Sequence, residues 1–452
     1  MKVHFIAIGG SAMHNMAIAL HKKGYEVSGS DDEIFEPSKS RLAKHNLLPK
    51  KVGWQAEKIN DSYDAIILGM HAKPDNPELL KAQELGLKIY SYPEYIYEQA
   101  KDKQRFVIAG SHGKTSITAM VMHVLKKAKL DFDYMVGAQL EGFDTMVRLS
   151  DAPIIIIEGD EYLSSPIDRR PKFFWYKPQF TVISGIAWDH INVFPTFENY
   201  LDQFKQYLAS LPEDAEVYYY QGDEMLGQVV NEARSGLKKL PYQTHAHKNE
   251  AGKTILKTPN EEVPVLVFGS HNLQNLSAAK SICMAAGVDE STFYQAIQSF
   301  KGAAKRLELI AGNEDCLIYK DYAHSPSKLK ATTQAVKNQF EAKKVIAVME
   351  LHTFSSLNKD FLSEYSGCMS AADEAVVYFN PKAIEHKGLD MIQSEDVAKA
   401  FLPSKVNVFD DSAEVKRWVE AQDLKNSVLL LMTSGNFDGI NLNEWADQLV
   451  KS

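Results

Sequence analysis

Cysteine is scarce in this 452-residue chain: Cys283, Cys316 and Cys368 are the only three, far apart and at no metal-ligand spacing. That excludes a disulfide framework and a thiolate zinc site, and it suits a reducing compartment. Long apolar runs are missing too. The longest, residues 154–157 and 428–432, have the length of buried strands. A membrane helix needs roughly 18 apolar residues or more. The opening Met1-Lys2-Val3-His4-Phe5 is not a secretory pattern, and its apolar run breaks at Gly9-Gly10. A cytoplasmic protein with no membrane partner is the expectation. Positive charge is also short. With 50 Lys and Arg against 59 Asp and Glu the net charge is -9, which argues against a nucleic-acid partner because phosphate backbones need a basic face. Repeats and low-complexity segments are absent.

What is present is the balance of a globular chain, 45% hydrophobic and 24% charged, long enough for several domains at about 100–200 residues each. The first segment reads strand, glycine turn, helix: 3–8 is β-prone and apolar, and Met13, Met16, Ala17 and Leu20 then recur at helical spacing. Further strands at 26–28 and 65–68 complete a βαβ rhythm, which implies a parallel sheet. The unit closes near Tyr92-Pro93, and the polar 98–104 stretch reads as a linker. A second βα unit opens at Phe106, with strands at 106–109, 154–157 and 181–183. Residues 241–264 are polar and irregular. A third block has strands near 317–319, 345–348, 375–378 and 428–431, and Ser325-Pro326 is a good helix start. The fold class is therefore α/β, with domains expected at 1–103, 104–302 and 303–452.

Gly110-Ser111-His112-Gly113-Lys114-Thr115-Ser116 sits between a strand and a helix. Glycines there let backbone N–H groups approach phosphates, a helix N-terminus favours negative charge, a lysine reaches the terminal phosphates and a hydroxyl binds Mg²⁺. The loop is shorter than the common G-x-x-x-x-G-K-[ST] form, with Ile108 where the first glycine would stand. Gly252-Lys253-Thr254 lacks the upstream glycine and a following helix, and reads as a turn. The apolar strand 154–157 ends in Glu158-Gly159-Asp160-Glu161, at the strand edge where α/β folds bind ligands. A carboxylate there can share one Mg²⁺ with Thr115, since this ion prefers oxygen. The next strand ends in Trp188-Asp189-His190; a histidine is a poor Mg²⁺ ligand by hardness and stands equally well as a capping residue. Near the N-terminus, Ala7-Ile8-Gly9-Gly10-Ser11-Ala12 is a degraded dinucleotide fingerprint, with alanine at two glycine positions and Asp31 placed for a ribose contact. A nicotinamide-dependent oxidoreductase and a non-catalytic nucleotide-binding module are the alternatives from other classes. The first leaves Lys114 and Glu158 without a role.

Taken together these residues resemble the Mur ligase family, ATP-dependent amide-forming enzymes of peptidoglycan synthesis. The resemblance covers nearly the whole chain, through Gly110 to Ser116, Glu158 to Tyr162, Asp189-His190, Gly269-Ser270-His271-Asn272-Leu273-Gln274-Asn275, Lys305-Arg306-Leu307-Glu308 and Asp321-Tyr322-Ala323-His324. It implies three domains: a Rossmann-like domain for a UDP-sugar, a central P-loop ATPase domain and a Rossmann-like domain for the amine. It implies ATP and Mg²⁺ as cofactors. Lys114 then contacts the β- and γ-phosphates within the Gly110–Ser116 loop; Thr115, Glu158 and His190 hold the metals; His271, Asn272 and Asn275 lie near adenine; Arg306 reaches phosphate and Asp321 ribose. Gly9, Gly10, Ser11, Ala12, Met13 and Asp31 meet the UDP-sugar, and His324 and His352 the amine side.

Within the family, Ala12, the Glu161-Tyr162…Asp168-Arg169-Arg170-Pro171-Lys172-Phe173 stretch and Ser434-Gly435-Asn436-Phe437-Asp438-Gly439-Ile440 resemble the member that joins UDP-N-acetylmuramate to the tripeptide L-Ala-γ-D-Glu-meso-diaminopimelate in recycling. Leu351-His352-Thr353-Phe354-Ser355 resembles instead the member that adds L-alanine. The tripeptide is the expected amine and L-alanine the alternative.

Overall fold

The computed structural model describes residues 1–452 except 189–192, 251, 304–305 and 452. Asp189, His190 and Lys305 therefore lie outside the described residues. The chain forms two compact units: Met1–Ile186 with Thr196–Gln243 and Ala278–Phe293, and Ala187–Pro195 with Thr244–Ser277 and Tyr294–Ser452.

In the first unit, strands Lys2–Ile6, Glu26–Ser30, Ala65–Leu68 and Ile89–Ser91 form a parallel sheet in which Lys2–Ile6 lies between Glu26–Ser30 and Ala65–Leu68. Ala65–Leu68 is apolar at every position and wholly buried, as a parallel strand covered on both faces should be. Helix Ser11–Lys22 buries Met13, Met16, Ala17 and Leu20, the helical stripe legible in the sequence.

The polar stretch 98–104, expected to be a linker, holds the end of helix Tyr92–Ala100 and the first residue of strand Gln104–Ala109. The reason lies at both ends of that helix. Ser91 and Glu94 form a reciprocal capping box with Pro93 in the first turn, so Tyr92-Pro93 opens an element rather than closing one. At the far end, the buried Arg105 guanidinium donates to the carbonyls of Ala100, Lys101 and Lys103 at 2.9–3.1 Å. It thereby satisfies acceptors that a helix terminus leaves open.

A seven-stranded sheet follows. Strand Gln104–Ala109 runs parallel between Phe180–Ile183 and Ile154–Glu158, and only the edge pair Asp133–Met135 with Val147–Arg148 is antiparallel. Helix Lys114–Lys127 leaves the end of Gln104–Ala109. Three strand ends and one helix start thus share one edge.

In the second unit, strands His247–Glu250, Lys253–Lys257 and Glu262–Val265 make a small antiparallel sheet within the stretch expected to be irregular. Alternating burial on Lys253–Lys257 explains it, since the buried Thr254 and Leu256 flank a half-exposed Ile255. Gly252, at φ +74°, is the turn residue, but Lys253 and Thr254, read as part of the same turn, open the strand; no helix follows, as a phosphate loop would need. The six-stranded sheet places Cys316–Asp321, Ser427–Met432, Lys344–Leu351 and Glu374–Phe379 side by side and parallel. Helix Pro326–Gln339 starts after Ser325, as read. No helix among the described residues is long and apolar enough to cross a membrane.

Candidate active site

The phosphate loop takes its shape from backbone requirements. Gly113, at φ +77°, is the left-handed N-cap of helix Lys114–Lys127. Gly110 has φ +115°, and a Cβ there would come within 2.7 Å of the Ser184 nitrogen, at the end of the neighbouring strand. The loop is pinned to that strand end: the Ser111 N–H donates to the Gly185 carbonyl at 3.0 Å, and the Ser184 hydroxyl donates to the carbonyl of His112.

Two consecutive residues at the helix start each meet a carboxylate from one downstream segment. The Thr115 hydroxyl donates to Glu158 at 2.8 Å. The Lys114 ammonium lies 2.6 Å from Glu161 and donates to the Gly110 carbonyl at 2.7 Å. Glu158 also accepts the Gly137 N–H at 2.8 Å, and a Cβ on Gly137 would press against that carboxylate at 2.9 Å. Burial pushes the Glu158 carboxyl above its usual range, against the pull of Gly137, Thr115 and Lys114. Burial alone would lower the Lys114 ammonium, but Glu161, Asp160 and Glu158 outweigh it and leave the lysine above its usual value. Two oxygen donors of hard character, Thr115 and Glu158, therefore stand side by side beside a fixed cation, a donor set that fits Mg²⁺. His190 falls outside the described residues.

The sequence carries Glu161 in the acidic run and in the Glu161-Tyr162 pair without assigning it a role, and Tyr200 carries no motif at all. The Tyr200 hydroxyl, on helix Phe197–Ser210, donates to Glu161 at 3.1 Å, and both residues are fully buried. The acidic run 158–161 was a signal for Glu161; nothing in the sequence pointed to Tyr200. Asp160 faces Lys172 at 2.6 Å, which ties the acidic loop to the 171–173 stretch. Arg170 is held by Asp168 at 3.0 Å and lies over the Trp175 ring, a local structural arrangement.

At the first loop, Ala7 adopts φ +66°, the conformation a glycine would take at the degraded fingerprint position. The Gly9 N–H donates to Asp31 at 2.7 Å, and a Cβ on Gly9 would meet that carboxylate at 2.8 Å. Gly10 is the N-cap of helix Ser11–Lys22, so Ser11, Ala12 and Met13 form its first turn. Asp31 is buried; that, together with Asp32 beside it and against the Gly9 and Glu33 N–H groups, pushes its carboxyl up to about 6.

In the second unit Asn272 and Asn275 are buried near the start of helix Ser270–Ala285, and the Asn272 amide donates to the Phe268 carbonyl at 2.9 Å. His271 precedes them on the same turn. Asp321 ends strand Cys316–Asp321 and accepts the N–H groups of Leu307 and Ala323 at 2.7 Å each. Burial raises the Asp321 carboxyl, opposed by Arg306 and these N–H groups. Arg306 lies over the Tyr322 ring, 4.8 Å from its centroid. The His324 ring is fixed by the Tyr322 carbonyl at 2.8 Å. One strand along, the Thr433 N–H donates to the Asp321 carbonyl and its hydroxyl to Glu350, and His352 stands 3.7 Å from Glu350. The structure thus brings Asp321, Thr433, Glu350 and His352 to one sheet edge.

A nucleotide-phosphate loop with a matched lysine, hydroxyl and carboxylate, set among Rossmann-like sheets, defines an ATP-using α/β enzyme. The chain matches the descriptions "Mur ligase family, catalytic domain" over residues 2–104, "Mur ligase middle domain" over 108–283 and "Mur ligase, glutamate ligase domain" over 305–435. It is 31% identical over 380 residues to the UDP-N-acetylmuramate–L-alanine ligase of Clostridium tetani, spanning 80% of this chain and 81% of that protein. The solved UDP-N-acetylmuramate-alanine ligase of Thermotoga maritima shares the fold at TM-score 0.70 and 21% identity, covering 100% of this chain and 98% of that one. The solved UDP-N-acetylmuramate:L-alanyl-gamma-D-glutamyl-meso-diaminopimelate ligase of Neisseria meningitides is 25% identical at TM-score 0.60, covering 66% of this chain and 98% of that one. The protein belongs to the Mur ligase family, whose members form amide bonds at the expense of ATP with Mg²⁺.

Proposed function

We propose that the protein is a cytoplasmic ligase that joins the carboxylate of UDP-N-acetylmuramate to the amino group of L-alanine. The observation that carries the chemistry is the paired contact of Lys114 with Glu161 and Thr115 with Glu158 at one strand edge. The amine assignment is supported by the L-alanine ligase of Clostridium tetani, similar over four-fifths of both chains.

A carboxylate does not acylate an amine at neutral pH because its oxygen leaves poorly. Transfer of the γ-phosphoryl of ATP to that oxygen makes an acyl phosphate, whose phosphate leaves when the amine attacks. Charge on the moving phosphoryl group must be met by groups already in place. In this reading Lys114 and the N–H groups of residues 110–116 do so. Thr115 and Glu158 would hold Mg²⁺, which would supply further charge neutralisation; the family resemblance assigns His190 to a metal as well. His271, Asn272 and Asn275 contact adenine, Arg306 a phosphate and Asp321 the ribose. Gly9 to Met13 and Asp31 hold the UDP-sugar; its diphosphate suits the first turn of helix Ser11–Lys22, where N–H groups face outward. His324 and His352 face the amine. Orienting two reactants is worth roughly 7–11 kcal/mol in favourable cases, and water must be kept from the acyl phosphate meanwhile.

A second reading, the tripeptide L-Ala-γ-D-Glu-meso-diaminopimelate as amine, is favoured by the likeness to the Neisseria meningitides enzyme and by the 434–440 segment. Phosphate release from Mg-ATP and UDP-N-acetylmuramate, with L-alanine or with the tripeptide, decides between them. Turnover with L-alanine supports the first reading; turnover with the tripeptide alone replaces it with the second. Silence with both overturns the substrate assignment.

A further inference from the structure

We propose that Glu161 is a positioning residue for nucleotide binding, holding the Lys114 ammonium where its remaining N–H can donate a hydrogen bond to a phosphate oxygen. An ammonium has three donors. Two of them are engaged, one by the Gly110 carbonyl at 2.7 Å and one by Glu161 at 2.6 Å. The third is left for the ligand. Without the carboxylate, a four-carbon side chain at a loop edge samples many rotamers, and each phosphate contact must freeze it again.

Glu161 is itself held. Its other oxygen accepts the Tyr200 hydroxyl at 3.1 Å, and neither residue is exposed. The carboxylate therefore has a set orientation before any nucleotide arrives. Glu158 and Glu161 divide the work within one four-residue run: the first takes the Thr115 hydroxyl, the second the Lys114 ammonium. A buried ion pair is weak evidence for stability, because desolvation of both charges offsets their attraction. Its geometric consequence here is a lysine aimed in advance.

The test is titration of N-methylanthraniloyl-ATP with Mg²⁺, followed by fluorescence, which needs neither sugar nor amine. Glu161→Gln keeps a partner for Tyr200 and removes the charge. It should weaken nucleotide binding about 10–100-fold, the usual effect of losing an orienting partner behind a contact residue. Glu161→Asp should restore part of the loss, and Tyr200→Phe should shift affinity in the same direction by less. In a Lys114→Gln background Glu161→Gln should add nothing further, since the two act through one group. In turnover, KM for ATP should rise while KM for the sugar substrate holds. A folded Glu161→Gln protein that binds nucleotide within about twofold of wild type overturns the proposal. So does an equal loss in the Lys114→Gln background. If Glu161→Gln does not fold, Tyr200→Phe decides, and unchanged nucleotide affinity in it overturns the proposal.

Discussion

Asn15, on the first helix, accepts the backbone N–H of Met146 through its side-chain oxygen at 2.9 Å, across 131 residues of chain. Its amide meanwhile donates to the Ser11 carbonyl one turn back at 2.8 Å. Both residues are buried. One side chain thus joins the helix that carries the first loop to the segment beside strand Val147–Arg148. Asn15→Leu keeps the volume and leaves the Met146 N–H without its acceptor. A buried donor so orphaned costs about 1–3 kcal/mol. Urea unfolding of the variant should show a loss of that size at an unchanged slope. A loss well under it would mean that water or a shifted backbone replaces the bond.

Metal dependence follows from Thr115 and Glu158. Glu158 is buried, and desolvation disfavours its charge unless a cation is near. Mg²⁺ should raise the melting temperature of the wild type, because a ligand that binds only the folded state stabilises it by mass action, about 2.7 kcal/mol at 100 times its dissociation constant. Glu158→Ala should lose most of that rise and drop turnover at least about 100-fold, since a bound cation supplies several kcal/mol and each tenfold is about 1.4. Chelation of the wild type should stop turnover. Scanning calorimetry with and without Mg²⁺ measures the first effect, and phosphate release the second.

The elements that carry chemistry were the most legible. An all-isoleucine strand ending in an acidic run marks a buried parallel strand and its ligand-binding edge, and the structure has Ile154–Glu158 there. Ser91, Pro93 and Glu94 carry the capping signals of a helix start, so the Tyr92-Pro93 break marks the opening of an element and not a boundary. Other features are tertiary. Glu161 and Tyr200 are 39 positions apart and meet only because helix Phe197–Ser210 packs over the strand edge. Ala7 at φ +66° shows that a fingerprint glycine can be absent while its conformation persists, held by burial. Thr433, Glu350 and His352 converge through strand order, which puts Ser427–Met432 between Cys316–Asp321 and Lys344–Leu351 although it comes last in the chain. The choice of amine was least legible, since the 351–355 and 434–440 segments point to different members of the family and meet at that one edge.

Asp31 should give a pH signature. Its carboxyl is pushed up to about 6 in the folded chain from a usual value of 3.8, chiefly by burial. A carboxyl raised on folding binds its proton more tightly in the native state, so its contribution to stability is full below about pH 4 and is lost as pH rises to about 6. Asp31→Asn removes this titration while keeping an acceptor for the Gly9 N–H. The stability difference, variant minus wild type, should therefore grow in the variant's favour from about pH 4 to 6 and stay level above. Binding should run the other way. If the sugar nucleotide donates a hydroxyl to Asp31, wild-type affinity rises as the carboxylate forms, and Asp31→Asn flattens that profile. Denaturant melts and isothermal titrations with UDP-N-acetylmuramate across this range measure both.

The sheet edge at His352 offers a way to separate amine recognition from phosphoryl transfer. Gly435 has no room for a side chain: a Cβ would come within 2.8 Å of the His352 ring and 2.9 Å of the Glu350 carboxylate. Glu350 is buried and committed to the Thr433 hydroxyl and the Phe437 N–H, so it cannot give way without freeing both. His352 is partly exposed and can. Gly435→Ala should therefore displace the imidazole rather than the carboxylate, at a cost in stability of about 1–3 kcal/mol for overpacking. If His352 faces the amine, KM for the amine should rise in this variant and in His352→Ala alike, while nucleotide binding stays as in the wild type. A rise confined to Gly435→Ala would assign the effect to the distorted 433–437 loop. An unchanged amine KM in both would remove His352 from the amine site and leave Glu350 as the structural anchor of that loop.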